Sequence, residues 1–505
     1  MRKFMDLKGV EMDTEIVLAK PGHTRLFWVA AVSLFFVSMF IVISSFMGSL
    51  GFPLDDAWIH QTYARNFALR GEWAFTPGML SGGSTSPLWT VLLSIGYLLG
   101  LAPVVWAALL GFFCLVVLAI VGEQAFRQGL QPWYRSIPWM GILLASEWHL
   151  VWAALAGMET ILYALIIVLT FHVLMLGKQF WMVGLLLGVV VWIRPDGLTL
   201  LGPIVFVIGL GQQSWKKKIL SLMNVIGIFS LVFLPYLVFN RLLSNAWMPT
   251  TFYAKQAEYA VMTQLPILQR LGSLIILPMV GVGILLLPGF VFSAYMSIRK
   301  KNWVGLGAVI WWLGYNLIYA INLPVTYQHG RYLIPTMPIY FILAGIGTAA
   351  LLRWMRVQNK TITRVLSTGW FVTILLVGII FGGLGAVAYA EDTAIIETEM
   401  VATARWIADN TSSDSLIAAH DIGALGYFGG RPLVDMAGLV TPEVIPFIRD
   451  EQKLTDFLNS EKVDYLVTFP DWYPKITNNR TPVYVSGGKF SPKAGGENMA
   501  VYQWR

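Results

Sequence analysis

The sequence predicts a polytopic α-helical membrane protein that carries a small α/β domain outside the membrane at its carboxyl end. Of its 505 residues, 56% are hydrophobic and only 12% are charged, whereas a soluble globular chain carries about 25% charged residues. Apolar runs fill most of the first 390 residues; beyond them charges return and the apolar runs shorten. We therefore predict a membrane domain over residues 1–390 and an outer domain over residues 391–505.

Eleven apolar runs are candidates for membrane-spanning helices. They fall at residues 26–47, 103–121, 138–156, 161–177, 180–194, 197–213, 219–240, 271–298, 303–322, 332–352 and 366–390. A further run, 87–100, would form only about 21 Å of helix, against a hydrocarbon core of about 30 Å. We expect about eleven spanning helices, with 87–100 as an interfacial or re-entrant helix in the first outer loop, 48–102.

Basic residues cluster in short loops between the apolar runs, at 216–218, 299–301 and 353–364. Such clusters mark the cytoplasmic side of a membrane. All three fall on the side of the amino terminus, with its Arg2 and Lys3, if 87–100 does not span. We therefore predict a multi-pass protein of the cell membrane with a cytoplasmic amino terminus and an extracytoplasmic carboxyl-terminal domain. Because the net charge of +7 comes largely from these orientation signals, we expect no nucleic-acid partner.

The first outer loop carries two adjacent carboxylates, Asp55 and Asp56, at the start of a predicted amphipathic helix. Asp55 stands where an N-cap is expected, and Asp56 lies one helical turn before His60. One explanation is helix capping, together with favourable charge at the positive end of the helix dipole. The other is chemistry by at least one carboxylate, because ionisable groups at membrane sites are commonly functional.

Further charged side chains fall on the same outer side, close to the ends of predicted helices. They are Glu159, Arg194, Asp196, Lys255, His329 and Arg331. Each one alone is explained as the solvated end of a helix, and Arg331 could extend to lipid phosphate at the interface. Together they indicate a polar site, in which the guanidinium of Arg331 could bind a substrate phosphate through two parallel hydrogen bonds.

Metal binding has weak support in the sequence. There is one cysteine, Cys114, with no Cys/His cluster of zinc spacing and no His-Glu-x-x-His motif. Asp55, Asp56 and Glu159 could hold Mg²⁺ or Ca²⁺ through their hard oxygens. Adjacent carboxylates on a helix point apart, however, so we assign no metal ligands.

The outer domain shows the pattern of a small α/β fold. Residues 415–419, 463–469, 483–486 and 499–504 are predicted strands, and residues 397–409 and 451–459 are predicted helices. An α/β layer of this size is expected to pack against the membrane domain rather than stand far from it.

Several short motifs occur in one order along most of the chain. They are Asp55-Asp56, Tyr63-Ala64-Arg65-Asn66, Thr85-Ser86-Pro87-Leu88-Trp89, Gly157-Met158-Glu159-Thr160, Arg194-Pro195-Asp196, Pro249-Thr250-Thr251-Phe252-Tyr253-Ala254-Lys255, Arg331-Tyr332-Leu333-Ile334-Pro335 and His420-Asp421-Ile422-Gly423-Ala424. This series resembles the GT-C superfamily of polyprenyl-phosphate-sugar-dependent glycosyltransferases. Within that superfamily it is most similar to the branch that contains the mycobacterial cell-wall arabinofuranosyltransferases.

The resemblance implies a GT-C-like membrane domain that transfers a sugar, with inversion, from a polyprenyl-phosphate donor. The acceptor would be a cell-envelope glycan, lipid or protein, and membrane lipids would surround the helices. A first-loop carboxylate would deprotonate the acceptor. We favour Asp55, which lies nearer the bend at Pro53, with Asp56 in support or as the base itself. Substrate contacts are expected from His60, Arg65, Glu159, Arg194, Asp196, Tyr253, Lys255, His329 and Arg331.

The outer domain is expected to cover the cleft and to shape the choice of acceptor. Asp421 and Asp435 lie in its loops, where a carboxylate could bind sugar hydroxyls. Capping of turns explains each of them equally well.

Two other classes of protein share some of these features. A secondary transporter also has many helices, but it should place paired polar residues near the midplane in two matching halves. A non-catalytic envelope scaffold or sensor would tolerate the loss of both Asp55 and Asp56. The gathering of charge on one side and the large outer domain favour the enzyme.

Overall fold

The computed structural model describes residues 22–130, 137–177 and 179–505. The predicted cytoplasmic start of the chain, with Arg2 and Lys3, lies outside the described residues. Up to residue 395 the described chain is almost entirely helical. Its helices are α1 (His23–Phe46), α2 (Asp56–Arg70), α3 (Pro87–Leu98), α4 (Pro103–Gly129), α5 (Trp139–Ser146), α6 (Trp148–Leu155), α7 (Thr160–Leu176), α8 (Phe180–Ile193), α9 (Leu201–Leu210), α10 (Trp215–Ser244), α11 (Thr250–Glu258), α12 (Ile267–Ile275), α13 (Gly283–Arg299), α14 (Trp303–Asn322), α15 (Tyr327–Gly330), α16 (Met337–Gln358) and α17 (Lys360–Ile395).

Six helical stretches in the described chain are long and apolar enough to cross a membrane. A seventh candidate is the pair Ile267–Met279 and Gly283–Arg299, which is bent by 108°. Each of the eleven predicted runs contains helix, but several of these helices are short. The polytopic helical class is confirmed, whereas the count of about eleven spanning helices is not. Helix α3, which covers most of 87–100, is also too short to span at about 1.5 Å per residue.

The predicted span 138–156 consists of two short helices, α5 and α6, which meet at Glu147. The backbone of Glu147 is extended, with φ −69° and ψ 121°. Its Oε2 accepts a hydrogen bond from Leu150 N at 3.1 Å, and its Oε1 lies 2.7 Å from His149 Nδ1. The carboxylate therefore caps α6 and ends the continuous helix, which hydropathy alone does not reveal.

The long helices separate the basic clusters from the first outer loop. Helix α10 begins beside the lysines at 216–218, and its 30 residues carry the chain about 45 Å before it leads into α11. Helix α16 ends with Arg353 and Arg356 in its last turns. Helix α17 then starts at Lys360 and runs in the return direction to the outer domain. The basic clusters thus lie at the helix ends remote from α11 and the outer domain.

The outer domain begins where α17 continues through a wider helical turn (Ile396–Val401) into α18 (Ala402–Asn410). Its sheet has five strands in the order β2-β1-β3-β5-β4. The strands are β1 (Ile417–Ala419), β2 (Leu433–Asp435), β3 (Tyr465–Thr468), β4 (Tyr484–Val485) and β5 (Ala500–Gln503). Strand β1 pairs in parallel with β2 and β3, and β5 pairs antiparallel with β3 and β4. All but β2 lie inside predicted segments; β2 has three residues and was not predicted.

The outer domain packs directly on α2. The ring of Trp58 lies 4.8 Å from that of Tyr427 and 4.7 Å from that of Phe428. Arg65 Nη1 donates a hydrogen bond to the carbonyl oxygen of Tyr427 at 2.8 Å. Because α17 also passes residue 390 without a break, the two parts of the chain are joined both by a continuous helix and by an aromatic contact.

Two glycines bring α13 and α16 into backbone contact. A Cβ on Gly347 would meet the backbone of Gly289 and Ser293, and a Cβ on Gly289 would meet Ala344 and Thr348. Small residues at such a crossing let helices in a membrane approach closely.

The substitution Gly347→Val should therefore destabilise the membrane domain by about 1–3 kcal/mol, because the two helices must separate to admit the side chain. Thermal unfolding of the full chain in detergent would measure this. Gly378→Val is the matched control, since a Cβ on Gly378 meets no atom within 4 Å. Equal stability of the Gly347→Val variant and the unchanged protein would contradict the close crossing.

Candidate active site

A cavity of about 340 Å³ lies between the first outer loop, α11 and α14. Seven of the predicted site residues line it: Asp56, His60, Glu159, Arg194, Asp196, Lys255 and Arg331. Much of the remaining wall is apolar, with Ile59, Leu198, Ile318 and Leu323 among its residues. The tertiary structure therefore gathers most of the predicted polar residues around one space.

Asp56 and Arg331 form an ion pair at this cavity. Asp56 Oδ2 lies 2.6 Å from Arg331 Nη2. Burial opposes ionisation of Asp56, but the charges of Arg331 and Lys255 outweigh burial and lower its pKa. The guanidinium of Arg331 also lies 5.0 Å from the ring of Tyr332, and its Nε has no hydrogen-bond partner. Arg331 is only 6% exposed, so one donor of a buried cation is free to bind a ligand.

A second charged network is centred on Arg194. Its Nη1 donates to Glu159 Oε1 at 3.1 Å, and its Nε donates to Asp196 Oδ2 at 3.0 Å. Asp196 Oδ2 also accepts hydrogen bonds from the hydroxyls of Tyr315, at 2.8 Å, and Tyr319, at 2.5 Å. Each charge in this network has an opposite charge or a donor beside it, which is the condition for burying ionised groups.

His60 joins the Arg194 network to the first outer loop. Its Nε2 lies 3.5 Å from Glu159 Oε2, and its Nδ1 lies 3.2 Å from Ser84 Oγ. Burial lowers the pKa of His60, although Glu159 acts in the opposite direction. The imidazole therefore has a polar partner on each ring nitrogen.

Helix α11 contributes the third cation of the cavity. Lys255 Nζ lies 3.6 Å from Glu258 Oε2. Glu258 Oε1 in turn lies 3.2 Å from His420 Nε2 of the outer domain. Burial opposes ionisation of Glu258, but the charge of Lys255 and the contact with His420 lower its pKa to about 2. Lys255 is thereby connected, through Glu258, to the outer domain.

Asp55 lies beside the cavity rather than in its wall. Its side chain does not cap α2, so the expected N-cap role is wrong. Instead Oδ2 accepts a hydrogen bond from Gly423 N at 2.7 Å and Oδ1 accepts one from Ala424 N at 2.8 Å. Burial and the charge of Asp421 raise the pKa of Asp55 to about 8. The carboxylate thus binds the outer domain.

Three predicted substrate contacts also lie outside the cavity wall. Arg65 binds the backbone of the outer domain, and Tyr253 is 40% exposed on α11. His329 Nε2 lies 2.8 Å from Asp392 Oδ2 on α17. His329 follows Gln328 in left-handed backbone, with φ 58° and 51°, a conformation that costs free energy outside glycine. This turn leads directly into Arg331, so His329 is placed to hold the turn.

Some residues of the site were not singled out from the sequence. Tyr315 and Tyr319 are the clearest, because both hydroxyls bind Asp196. Their spacing of one helical turn on α14 was an available signal, but aromatic residues at that spacing are also common in apolar helices. Glu258 was missed because its role depends on His420, which is distant in sequence.

The acidic side chains expected to hold Mg²⁺ or Ca²⁺ do not converge. Asp55 accepts backbone N–H groups, Asp56 pairs with Arg331, and Glu159 pairs with Arg194. Within the described ranges there is no group of three or more His, Cys, Asp or Glu side chains that could hold a metal ion. This donor set does not fit a shared divalent cation, and no chemical step below is assigned to a metal.

A helical membrane part, a charged cavity beside the first outer loop and a docked carboxyl-terminal domain define the GT-C fold. The crystal structure of ArnT from Cupriavidus metallidurans bound to undecaprenyl phosphate is similar, with a TM-score of 0.56 and 14% identity over 95% of this chain and 98% of that chain. The Archaeoglobus fulgidus oligosaccharyltransferase tethered with an acceptor peptide has a TM-score of 0.55 and 11% identity over 91% of this chain and 72% of that one. Both are GT-C superfamily members, so the predicted fold class is confirmed.

Other comparisons reach parts of the chain or are weaker. The structure of the arabinofuranosyltransferase AftD from Mycobacteria matches with a TM-score of 0.47 and 13% identity, over 95% of this chain and 39% of that chain. Residues 381–502 match a family described as "Domain of unknown function (DUF8728)". No curated protein sequence matches this chain.

The substitution Asp55→Asn should loosen the docking of the outer domain. Both oxygens of Asp55 accept backbone N–H groups, whereas the amide nitrogen of Asn cannot accept one, so a buried donor loses its partner at a cost of about 1–3 kcal/mol. Hydrogen exchange of the full chain in detergent should show faster exchange around residues 423–424. Asp409→Asn, at an exposed carboxylate of the outer domain, is the matched control. Unchanged protection in Asp55→Asn would contradict this docking role.

Proposed function

We propose that the protein is a membrane glycosyltransferase that moves a sugar from a polyprenyl-phosphate donor to a hydroxyl of a glycan, lipid or protein acceptor. The observation that carries this proposal is the cavity of a GT-C fold in which the carboxylate of Asp56 lies beside the cations Arg331 and Lys255. A carboxylate suits removal of a hydroxyl proton, and fixed cations suit a departing phosphate.

The donor phosphate would bind between Arg331 and Lys255. Arg331 has a free Nε donor in a buried setting, and a guanidinium matches phosphate geometry with two parallel bonds. The ArnT structure is bound to undecaprenyl phosphate, and an AglB structure holds a dolichol-phosphate. The apolar part of the wall, with the half-exposed Ile318 and Phe252, offers a path for the first units of a prenyl chain.

We propose Asp56, rather than Asp55, as the base. Asp56 lines the cavity, whereas both oxygens of Asp55 are bound to the outer domain. Asp56 would accept the proton of the acceptor hydroxyl as the hydroxyl oxygen forms a bond to the anomeric carbon. The bond from that carbon to the phosphate oxygen breaks, and the electron pair leaves with the phosphate. Attack opposite the leaving group inverts the anomeric configuration.

The network around Arg194 would orient the donor sugar. Glu159 and His60 present polar atoms to the cavity close to Asp56, and Asp196 with its tyrosines fixes Arg194. The transition state has oxocarbenium character, and a carboxylate such as Glu159 near the sugar would stabilise its positive charge.

The enzyme would work at the outer face of the cell membrane. The basic clusters lie at the helix ends remote from the cavity, and basic loops remain on the cytoplasmic side. We therefore propose a cytoplasmic amino terminus and an extracytoplasmic outer domain. A transporter is disfavoured because the charges surround one cavity beside the outer domain rather than pairing between two matching halves.

The substitution Asp56→Asn should lower transfer by roughly 10²–10⁴-fold, the usual contribution of a general base. Release of polyprenyl phosphate from a panel of polyprenyl-phosphate sugars, with mixed envelope acceptors, would be measured for protein in nanodiscs. Asp409→Asn should behave as the unchanged protein. If Asp56→Asn lost less than about threefold, under 1 kcal/mol of barrier, the assignment of Asp56 as base would be wrong.

The substitutions Arg331→Ala and Arg331→Lys should both raise KM for the donor, by about tenfold or more, because lysine lacks the planar fork. Steady-state kinetics with the active donor would provide the values. Arg241→Lys, on an exposed arginine at the end of α10, controls for a general change of cation. Normal donor KM in both Arg331 variants would transfer the phosphate-binding role to Lys255.

A further inference from the structure

The segment 420–424 of the outer domain connects two walls of the cavity. At one end His420 Nε2 lies 3.2 Å from Glu258 Oε1, on the helix that carries Lys255. At the other end the backbone N–H groups of residues 423 and 424 bind Asp55, the neighbour of Asp56. The segment begins directly after β1, so the sheet fixes where it starts. It therefore passes over the cavity mouth with both ends held.

Asp421 lies within this segment and is partly exposed. In the described part of the chain its carboxylate has neither a hydrogen bond nor an ion pair. The charged groups that face it are His420, Asp56, Lys255, Glu258 and Asp55. Burial, with Asp56 adding to it, raises the pKa of Asp421 to about 6, so the group is mainly an acceptor at neutral pH. A partly buried carboxylate without donors costs free energy that ligand hydroxyls would offset.

An aromatic surface lies on the other side of His420. Trp472 is 46% exposed, and its ring lies 5.1 Å from that of His420 and 5.0 Å from that of Phe469. His420 Nδ1 is 2.7 Å from the hydroxyl of Tyr473, which holds the imidazole in place. A fixed, half-exposed indole offers a flat apolar face for the C–H groups of a sugar ring, and polar groups beside it provide specificity.

We propose that Asp421 and Trp472 form a sugar-binding subsite of the outer domain at the cavity mouth. The indole of Trp472 would lie against one face of the sugar, and the carboxylate of Asp421 would accept hydrogen bonds from its hydroxyls. His420 positions the subsite through Glu258 and Tyr473. That the bound sugar is the acceptor rests on the proposed function, because the subsite lies between solvent and Asp56. Sugar binding itself does not depend on turnover.

The test is saturation-transfer NMR on the full chain in nanodiscs with a panel of methyl pentosides, methyl hexosides and disaccharides. The unchanged protein should saturate the resonances of at least one sugar, most strongly on the ring protons that face the indole. Asp421→Asn and Trp472→Ala should each reduce this signal by about fivefold or more, and Trp472→Phe should retain part of it.

Two matched controls accompany these variants. Asp409→Asn removes an exposed carboxylate elsewhere in the outer domain, and Trp215→Ala removes a 73% exposed indole at the basic end of α10. Neither should change the sugar signal. No saturation of any sugar, or equal signals from the Asp421 and Trp472 variants and the unchanged protein, would overturn the subsite. Sugar binding that depends on both residues, in a protein that never releases polyprenyl phosphate, would instead overturn the proposed function.

Discussion

The ion pair between Asp56 and Arg331 is the contact on which the candidate site depends. It joins the first turn of α2 to the turn that precedes α16, and so fixes two distant parts of the chain around one cavity. Bringing two charges out of water is costly, and the pair repays this only with close geometry. A ligand phosphate would compete with Asp56 for Arg331, which would free the carboxylate for the acceptor proton. Donor binding and activation of the base would then be coupled.

The two adjacent carboxylates divide two tasks between them. Neighbouring residues at a helix start point in different directions, so Asp56 faces the cavity while Asp55 binds Gly423 and Ala424. Because the same short stretch holds both the reacting group and the outer domain, movement of that domain would be felt at the cavity. Glu258 makes a second connection of this kind, between Lys255 and His420.

The fold also explains how a charged site can exist in so apolar a chain. Arg194 is surrounded by Glu159, Asp196 and the hydroxyl of Tyr319, so its charge is buried with partners rather than exposed to lipid. The turn at Gln328 and His329 stores left-handed backbone beside Arg331 and is held by Asp392. Such conformations persist where the surrounding structure overdetermines them, and they are concentrated at functional sites.

The sequence alone determined the membrane class, the outer α/β domain and most of the polar residues around the cavity. It could do so because hydropathy, basic loops and charges at helix ends follow from local composition. Only the tertiary structure decided that Asp56 rather than Asp55 faces the cavity, since one residue on a helix changes direction by about 100°. It also decided that Glu147 divides a predicted span and that His420 reaches Glu258. These outcomes depend on contacts between segments far apart in the chain, which no local pattern encodes.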